Sequence, residues 1–311
     1  MSIVTIDNTV VNTLTVGVQG PAGPTGPAGP GVAQVIYGAS VFVATGGGDD
    51  NDGSPLEPKF SIGAAITAAE ALLATGQRTV QVFVQDAGVY TEDLTISDGV
   101  HVYAPTATLI GTVTLGNDAS LTVNRHYAAA SDQTLVQKGA GSGHGFYRAN
   151  VLDTRGIDAD LTGGLALRNV SNGSVLFATV GVLFVAAGGV GVSDGGAGFG
   201  HIHFWTPDLY LAGNDAVGIS AANNSNFIGY IDHILEIGSP TGTIAIRLTN
   251  AGAVVKLTAS EVIAGTAYSV TNGALHITCP KLTGTRSGSP ACELSNVALI
   301  GAWGTIDAST P

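Results

Sequence analysis

Asp158 and Asp160, two residues apart, are the first candidates whose type and spacing could do chemistry. Cleaving a glycosidic bond usually needs two carboxyl groups a few ångströms apart, one raised in pKa to serve as the acid. On a strand, residues i and i+2 share a face, so this pair would meet that need. It fits a solvated sheet edge equally well. Asp153, Asp208, Asp215, Asp232 and Glu236 are further candidate carboxylates, and an eliminating enzyme would add a cation such as Arg125, Arg148 or Arg155. No catalytic residue is assigned from these types alone, and whether the chain is an enzyme stays open, with the balance against it.

The second constellation is His201-Ile202-His203, followed by Phe204, Trp205 and Tyr210. Two histidines at i and i+2 on a strand point the same way, so in a trimer six imidazoles could converge and hold a transition metal octahedrally. The same residues fit ordinary packing, or a binding patch of His201, His203, Trp205 and Tyr210 against sugar rings. No metal or other cofactor is assigned. The acidic run Asp49-Asp50-Asn51-Asp52-Gly53 has oxygen ligands of the calcium type but lacks the later Glu of an EF-hand loop, so it reads as a turn capped by its own side chains.

The elements that would position these residues are strands. The 311 residues are 45% apolar and only 11% charged, with 45 glycines, a profile of short strands and turns around a real core. With 23 acids against 11 bases the formal net charge is −12. That charge repels a phosphate backbone, so nucleic acid is not an expected partner. No stretch reaches the length of a membrane span, and Met1 to Val18 has no basic start followed by an apolar block, so synthesis in a cytoplasm without membrane insertion is expected. Cys279 and Cys292 are read as reduced packing residues. Ser61 caps one expected helix to Thr75, with Ile62, Ile66, Ala69 and Leu73 on one side.

An internal repeat gives the architecture. An aliphatic residue, Ser or Thr, Asn or Asp, then a small residue recurs at Ile96-Ser97-Asp98-Gly99, Val170-Ser171-Asn172-Gly173, Val192-Ser193-Asp194-Gly195, Leu248-Thr249-Asn250-Ala251, Val270-Thr271-Asn272-Gly273 and Leu294-Ser295-Asn296-Val297, with looser copies at Leu115 and Ile219. Alanine precedes three of them by three residues, at Ala245, Ala267 and Ala291. This is a solenoid without a helix in each repeat, hence an all-β parallel β-helix with coils of about 22–25 residues. Residues 124–162 fit the repeat poorly and read as a loop excursion.

Upstream, Gly20-Pro21-Ala22, Gly23-Pro24-Thr25, Gly26-Pro27-Ala28 and Gly29-Pro30-Gly31 keep glycine in phase, the pattern of a collagen triple helix and so of a homotrimer. Twelve residues span only roughly 35 Å at ~3.1 Å each, so the triplets are a neck rather than a fibre. The chain divides into a β segment (1–19), the neck (20–31), a linker strand (32–45) and the β-helix domain (46–311).

Gly48-Asp49-Asp50-Asn51-Asp52-Gly53, Pro58-Lys59-Phe60-Ser61-Ile62, Val80-Gln81-Val82-Phe83-Val84 and Gly88-Val89-Tyr90-Thr91-Glu92-Asp93-Leu94-Thr95-Ile96 resemble the opening of pectate-lyase-like right-handed β-helices, common in bacteriophage tailspikes and tail fibres. A short β segment joined through Gln19 and collagen triplets to such a domain is similar to virion-attached fibres. The resemblance implies a trimeric adhesin on the particle surface, docked to other virion proteins of the tail or baseplate through residues 1–19 and facing host surface polysaccharide. A depolymerase on the same scaffold and a head-attached decoration fibre are the alternatives. The resemblance does not by itself imply catalysis.

Overall fold

The computed structural model describes residues 39–287 except 171–172, 195–199, 224–225 and 251, with the backbone of Cys292–Ser295 and Ala298–Leu299. The expectations placed on residues 1–19, 20–31 and 32–38, on the Cys292 side chain, and on Ser171, Asn172, Gly195, Phe199, Asn224, Ser225, Ala291 and Asn296 lie outside the described residues.

Residues 80–84 set the pattern: valines 80, 82 and 84 are buried while Gln81 and Phe83 look outward, the period of two that a half-buried strand requires. Successive runs of this kind pair side by side, always in parallel, into one sheet that does not close on itself. The pairings resolve into three faces. The first carries strands at 39–43, 80–84, 100–104, 119–123, 144–149, 175–180, 201–206, 226–231, 254–259, 274–278 and 292–295. The second runs from 89–91 to 298–299, and the third from 94–96 to 285–287. Each coil visits the faces in turn, so the chain is an all-β, β-helix-like solenoid.

Coil lengths depart from the expected 22–25. Register partners on the first face lie 19 residues apart at His101 and Ser120, 31 at Phe146 and Phe177, and 17 at His276 and Glu293. Strand pairing fixes the faces, and corners absorb the difference because loop length costs little free energy. The stretch 124–162 is not an excursion. It supplies the last four residues of Ala119–Tyr127 and all of Thr134–Lys138 and His144–Asp153, with 128–133 and 139–143 as corners and 154–162 as the longest part outside the strands.

The repeat signature marks the corner between third and first faces. Ile96 pairs with Leu115, Leu115 with Lys138, Lys138 with Asn169, and farther along Leu248 with Val270. Two copies shift by two residues, since Val192 pairs with Ile219 and Ile219 with Ile246; the parity is kept and both stay buried. Leu294 instead pairs with Ile277 on the first face, and Val170 falls one residue past Asn169, half-buried, so these two copies are not equivalent to the others. In the middle coils the buried position is polar. Lys138 donates its amine to Asn117 Oδ1 and the Gly139 carbonyl, both at 3.1 Å, and burial lowers its pKa against the opposing pull of Asp98 and Asp118. Asn169 donates to the carbonyls of Ser174 and His201 and accepts from the Ser174 hydroxyl. Asp194 accepts from the amides of Ala222 and Asn223.

Inside the first face, one column reads Val82, Val102, Leu121, Tyr147, Ala178, Phe204, Gly229, Leu257, Ile277. Small residues separate the large ones: Ala178 sits between Tyr147 and Phe204, Gly229 between Phe204 and Leu257. Tyr147 and Phe204 thus each have a small residue in a neighbouring rung, which leaves room for their rings.

The helix Ile62–Ala74 is inserted between the first two strands and buries Ile62, Ala65, Ile66 and Ala69. Its N-terminus is satisfied from two directions. Ser61 Oγ accepts from Ala64 N at 3.2 Å, and the Glu92 carboxylate accepts from the amides of Ile62 and Gly63 at 2.9 and 2.8 Å. Asp49 in turn accepts from Phe60 N and Ser61 N, so the acidic run is bonded as a turn. We expect Glu92→Ala to destabilise the fold by about 1 kcal/mol, the typical worth of a helix cap, read as a lower denaturant midpoint with unchanged slope. An unchanged midpoint would refute it.

His126 is fully buried at the second face. Its Nε2 lies 3.0 Å from the Gly111 carbonyl, which can only accept, so Nε2 carries the proton and Nδ1 accepts from the Tyr147 hydroxyl at 3.0 Å. Burial pushes the imidazole down to about 4 and holds the Tyr147 hydroxyl well above its usual range. Gly111 has φ 145°, and a Cβ there would lie 2.2 Å from the Glu92 carbonyl, so this corner needs glycine.

Candidate functional site

Outward side chains of the first face fall into columns because parallel strands stack in register about 4.8 Å apart. One column reads Gln81, His101, Ser120, Phe146, Phe177, His203, Ile228, Lys256, His276. Beside it run Phe83, Tyr103, Thr122, Arg148, Thr179, Trp205, Tyr230, Thr258 and Thr278. Aromatic rings in neighbouring rungs therefore stack. Phe146 and Phe177 lie 5.3 Å apart at 9°, Phe177 and His203 5.0 Å apart, and His144 sets its edge against Phe177 at 5.7 Å. Nearer the helix, Phe42 and Phe83 stack at 5.6 Å, with Tyr103 edge-on to Phe83.

Three shallow grooves follow these columns. The first, of ≈ 460 Å³, is lined by Gln81, Phe83, His101, Tyr103, Ser120 and Thr122. The second, of ≈ 180 Å³, shares Ser120 and Thr122 with it and reaches Phe146, Arg148, Phe177 and Thr179. The third, of ≈ 210 Å³, shares Phe177 and Thr179 with the second and runs to His203, Trp205, Ile228 and Tyr230. Shared walls make them one track along the prism. Trp205 is 48% exposed and Tyr230 56%, far more than large aromatics show in a core.

Among the residues singled out from sequence, His201, His203 and Trp205 all project from this face. Burial and the neighbouring His201 lower the His203 pKa, which favours the neutral imidazole. Tyr210 stands elsewhere. The chain turns a corner at Thr206–Asp208, where the Thr206 hydroxyl donates to the Asp208 carbonyl, and Tyr210 emerges on the second face. There it stacks on Phe184 at 5.2 Å, while the Arg155 guanidinium lies 4.1 Å over the same ring.

Asp158 and Asp160 lie in the turn after His144–Asp153 rather than on a strand, and both are exposed. Between them Ala159 adopts a left-handed φ of 58°, so the alternation expected of a strand does not apply. They border a shallow pocket of ≈ 240 Å³ with Ile157 and Leu161. Arg155 is committed to Asp153 through Nε and a terminal nitrogen at 2.9 and 2.7 Å. Asp208, Asp232 and Glu236 do not converge with that turn; Asp208 bonds His233 at 2.9 Å on the second face, where Glu261 and Lys281 continue the column as an ion pair. Asp215, at φ 57°, occupies another corner. Cys279 is buried and outside any disulfide among the described residues, with Sγ toward the Lys281 carbonyl.

Phe146, Phe177 and Tyr230 escaped the sequence reading. Each sits at an outward position of an alternating run, but the coils that bring them together are of unequal length. Among the described residues no group of three or more His, Cys, Asp or Glu is placed to hold a metal ion. Nor is any described helix long and apolar enough to cross a membrane. Comparison with protein-family models, curated proteins and solved structures finds no match to this chain.

Proposed function

We propose that the chain is a fibre- or spike-type adhesin of a bacteriophage virion whose first face holds a host-surface polysaccharide. The observation that carries the reading is the row of outward aromatics, from Phe83 and Tyr103 through Phe146 and Phe177 to Trp205 and Tyr230, along one continuous track. Sugar rings present apolar C–H faces that stack on aromatics, and side chains on strands hold their positions better than side chains on loops. A track of this kind suits an extended chain lying along the axis.

The Gly-Pro triplets at 20–31 support a homotrimer, and residues 1–19 are assigned to contacts with other virion proteins of the tail. Right-handed winding is assigned because parallel crossover connections take that hand almost without exception. In this reading the protein is made in the host cytoplasm and acts on the particle surface. The test uses the purified full chain. Light scattering should give three times 31.0 kDa, and electrophoresis through host surface polysaccharide should retard the trimer without producing new reducing ends. A monomeric mass, or no retardation, would sink the proposal. New reducing ends that vanish on Asp158→Asn with Asp160→Asn would replace it with a depolymerase.

A further inference from the structure

The first face has a charge pattern at odds with the rest of the chain. The formal net charge is −12, with 23 acids. Yet from 80–84 to 274–278 no outward side chain of this face is Asp or Glu. Acids resume at the corners, with Asp118 and Asp232, and in the next rung at Glu293, the register partner of His276. Five of the seven histidines lie on this face: His101, His144, His201, His203 and His276. Arg148 and Lys256 join them, both exposed and, among the described residues, without an ion-pair partner.

From the second rung to the eighth their placement is periodic; His276, on the ninth beside Lys256, falls outside the alternation. Counting 80–84 as the first rung, His101 stands on the second, His144 and Arg148 on the fourth, His201 and His203 on the sixth, and Lys256 on the eighth. The third, fifth and seventh rungs carry Ser120, Thr122, Val175, Phe177, Thr179, Asn226, Ile228 and Tyr230 in the outward positions. Basic or imidazole groups thus recur about every 10 Å, two rungs of the sheet. That interval is comparable to the length of two sugar residues.

We infer that the face takes a linear acidic polysaccharide in which a carboxylate recurs on alternate sugars, lying along the axis with its acidic groups at Arg148, the His201 and His203 pair, and Lys256. This rests on the adhesin reading and adds the ligand's charge and its period. Charge complementarity argues for this occupant: the acid-free strip is the place where an anionic chain escapes repulsion from the rest of the protein. A nucleic acid carries charge at a higher density, which two permanent cations do not match.

The probes are hyaluronate, which alternates acidic and neutral sugars, polygalacturonate, which is acidic at every sugar, carboxyl-reduced hyaluronate, dextran and oligo(dT), each titrated against the full chain. Hyaluronate should bind at least about tenfold more tightly than its carboxyl-reduced form, and more tightly than polygalacturonate, with affinity falling as salt rises. Arg148→Gln and Lys256→Gln should each cost about tenfold on hyaluronate, the worth of a charged hydrogen bond, and nothing on the reduced polymer. Equal binding of acid and reduced forms, or intact binding in both variants, overturns the inference and leaves the adhesin reading standing. Tighter binding of oligo(dT) than of any sugar polymer also overturns it. Failure of every polymer, dextran included, removes both readings.

Discussion

Replacing Trp205 and Tyr230 together by alanine is expected to weaken polysaccharide binding by about a hundredfold while leaving the thermal transition unchanged. The two rings are register partners on adjacent rungs, and with Phe177 and His203 they line the third groove. Roughly half of each is already exposed, so truncation removes little packing from the folded chain, and surface changes of this kind rarely move stability by more than about 0.5 kcal/mol. Each ring contributes an apolar face to a stacked sugar, worth about 1.4 kcal/mol or tenfold if its stacking resembles other aromatic contacts. Tyr210→Ala is the internal control. It lies on the second face against Phe184, and its loss should leave binding intact. Equal weakening by Tyr210→Ala and Trp205→Ala would mean that the first face is not the site.

The second expectation concerns acid. His126 is fully buried and neutral, with its pKa lowered by burial to about 4, against about 6.5 in an unfolded chain. Between these values the unfolded chain binds a proton that the folded one does not, so stability is lost as pH falls from about 6.5 to about 4. Above that window the histidine is neutral in both states and contributes no slope. The full difference is on the order of 3 kcal/mol at 1.36 kcal/mol per unit. His101 and His203, also lowered mainly by burial, act in the same direction. Asp86 is lowered by hydrogen bonds from Thr45, Tyr90 and Gly88, which outweigh its burial, and matters only below about pH 4. Denaturant titrations at pH 7 and pH 4.5 should show the loss in the native chain, and a clearly smaller loss in His126→Gln, which keeps a donor and an acceptor but cannot titrate. Identical pH slopes in the two proteins would contradict the assignment.

The strands, the helix with its Ser61 cap, and the solenoid character were legible because each rests on local chemistry: alternation, capping and the Asn/Asp-Gly turn. Register was not, and the reason is visible in one column. Where the outer coils place Ile96, Leu115, Leu248 and Val270, the middle ones place Lys138 and Asn169. A search for an aliphatic residue at that corner fails there, which is why 124–162 looked like a departure from the repeat. Those polar groups find their partners in neighbouring coils, as Lys138 does at Asn117, and such partners are set by pairing that no local window contains. The candidate site was half legible for the same reason. Trp205 and Tyr210 look adjacent in sequence, but a corner separates them, whereas Phe146, Phe177 and Trp205 are distant in sequence and neighbours on one face.

The unequal coils carry a consequence for how such a molecule changes its reach. Since a coil holds anything from 17 to 41 residues between register partners while the faces stay in step, a coil is a unit of measure. Duplicating one would lengthen the prism by about 4.8 Å and add one more mark to the ruler, whereas lengthening a corner would alter the outline and leave the marks where they are. Reach and surface texture can therefore be adjusted separately by changes to the same chain.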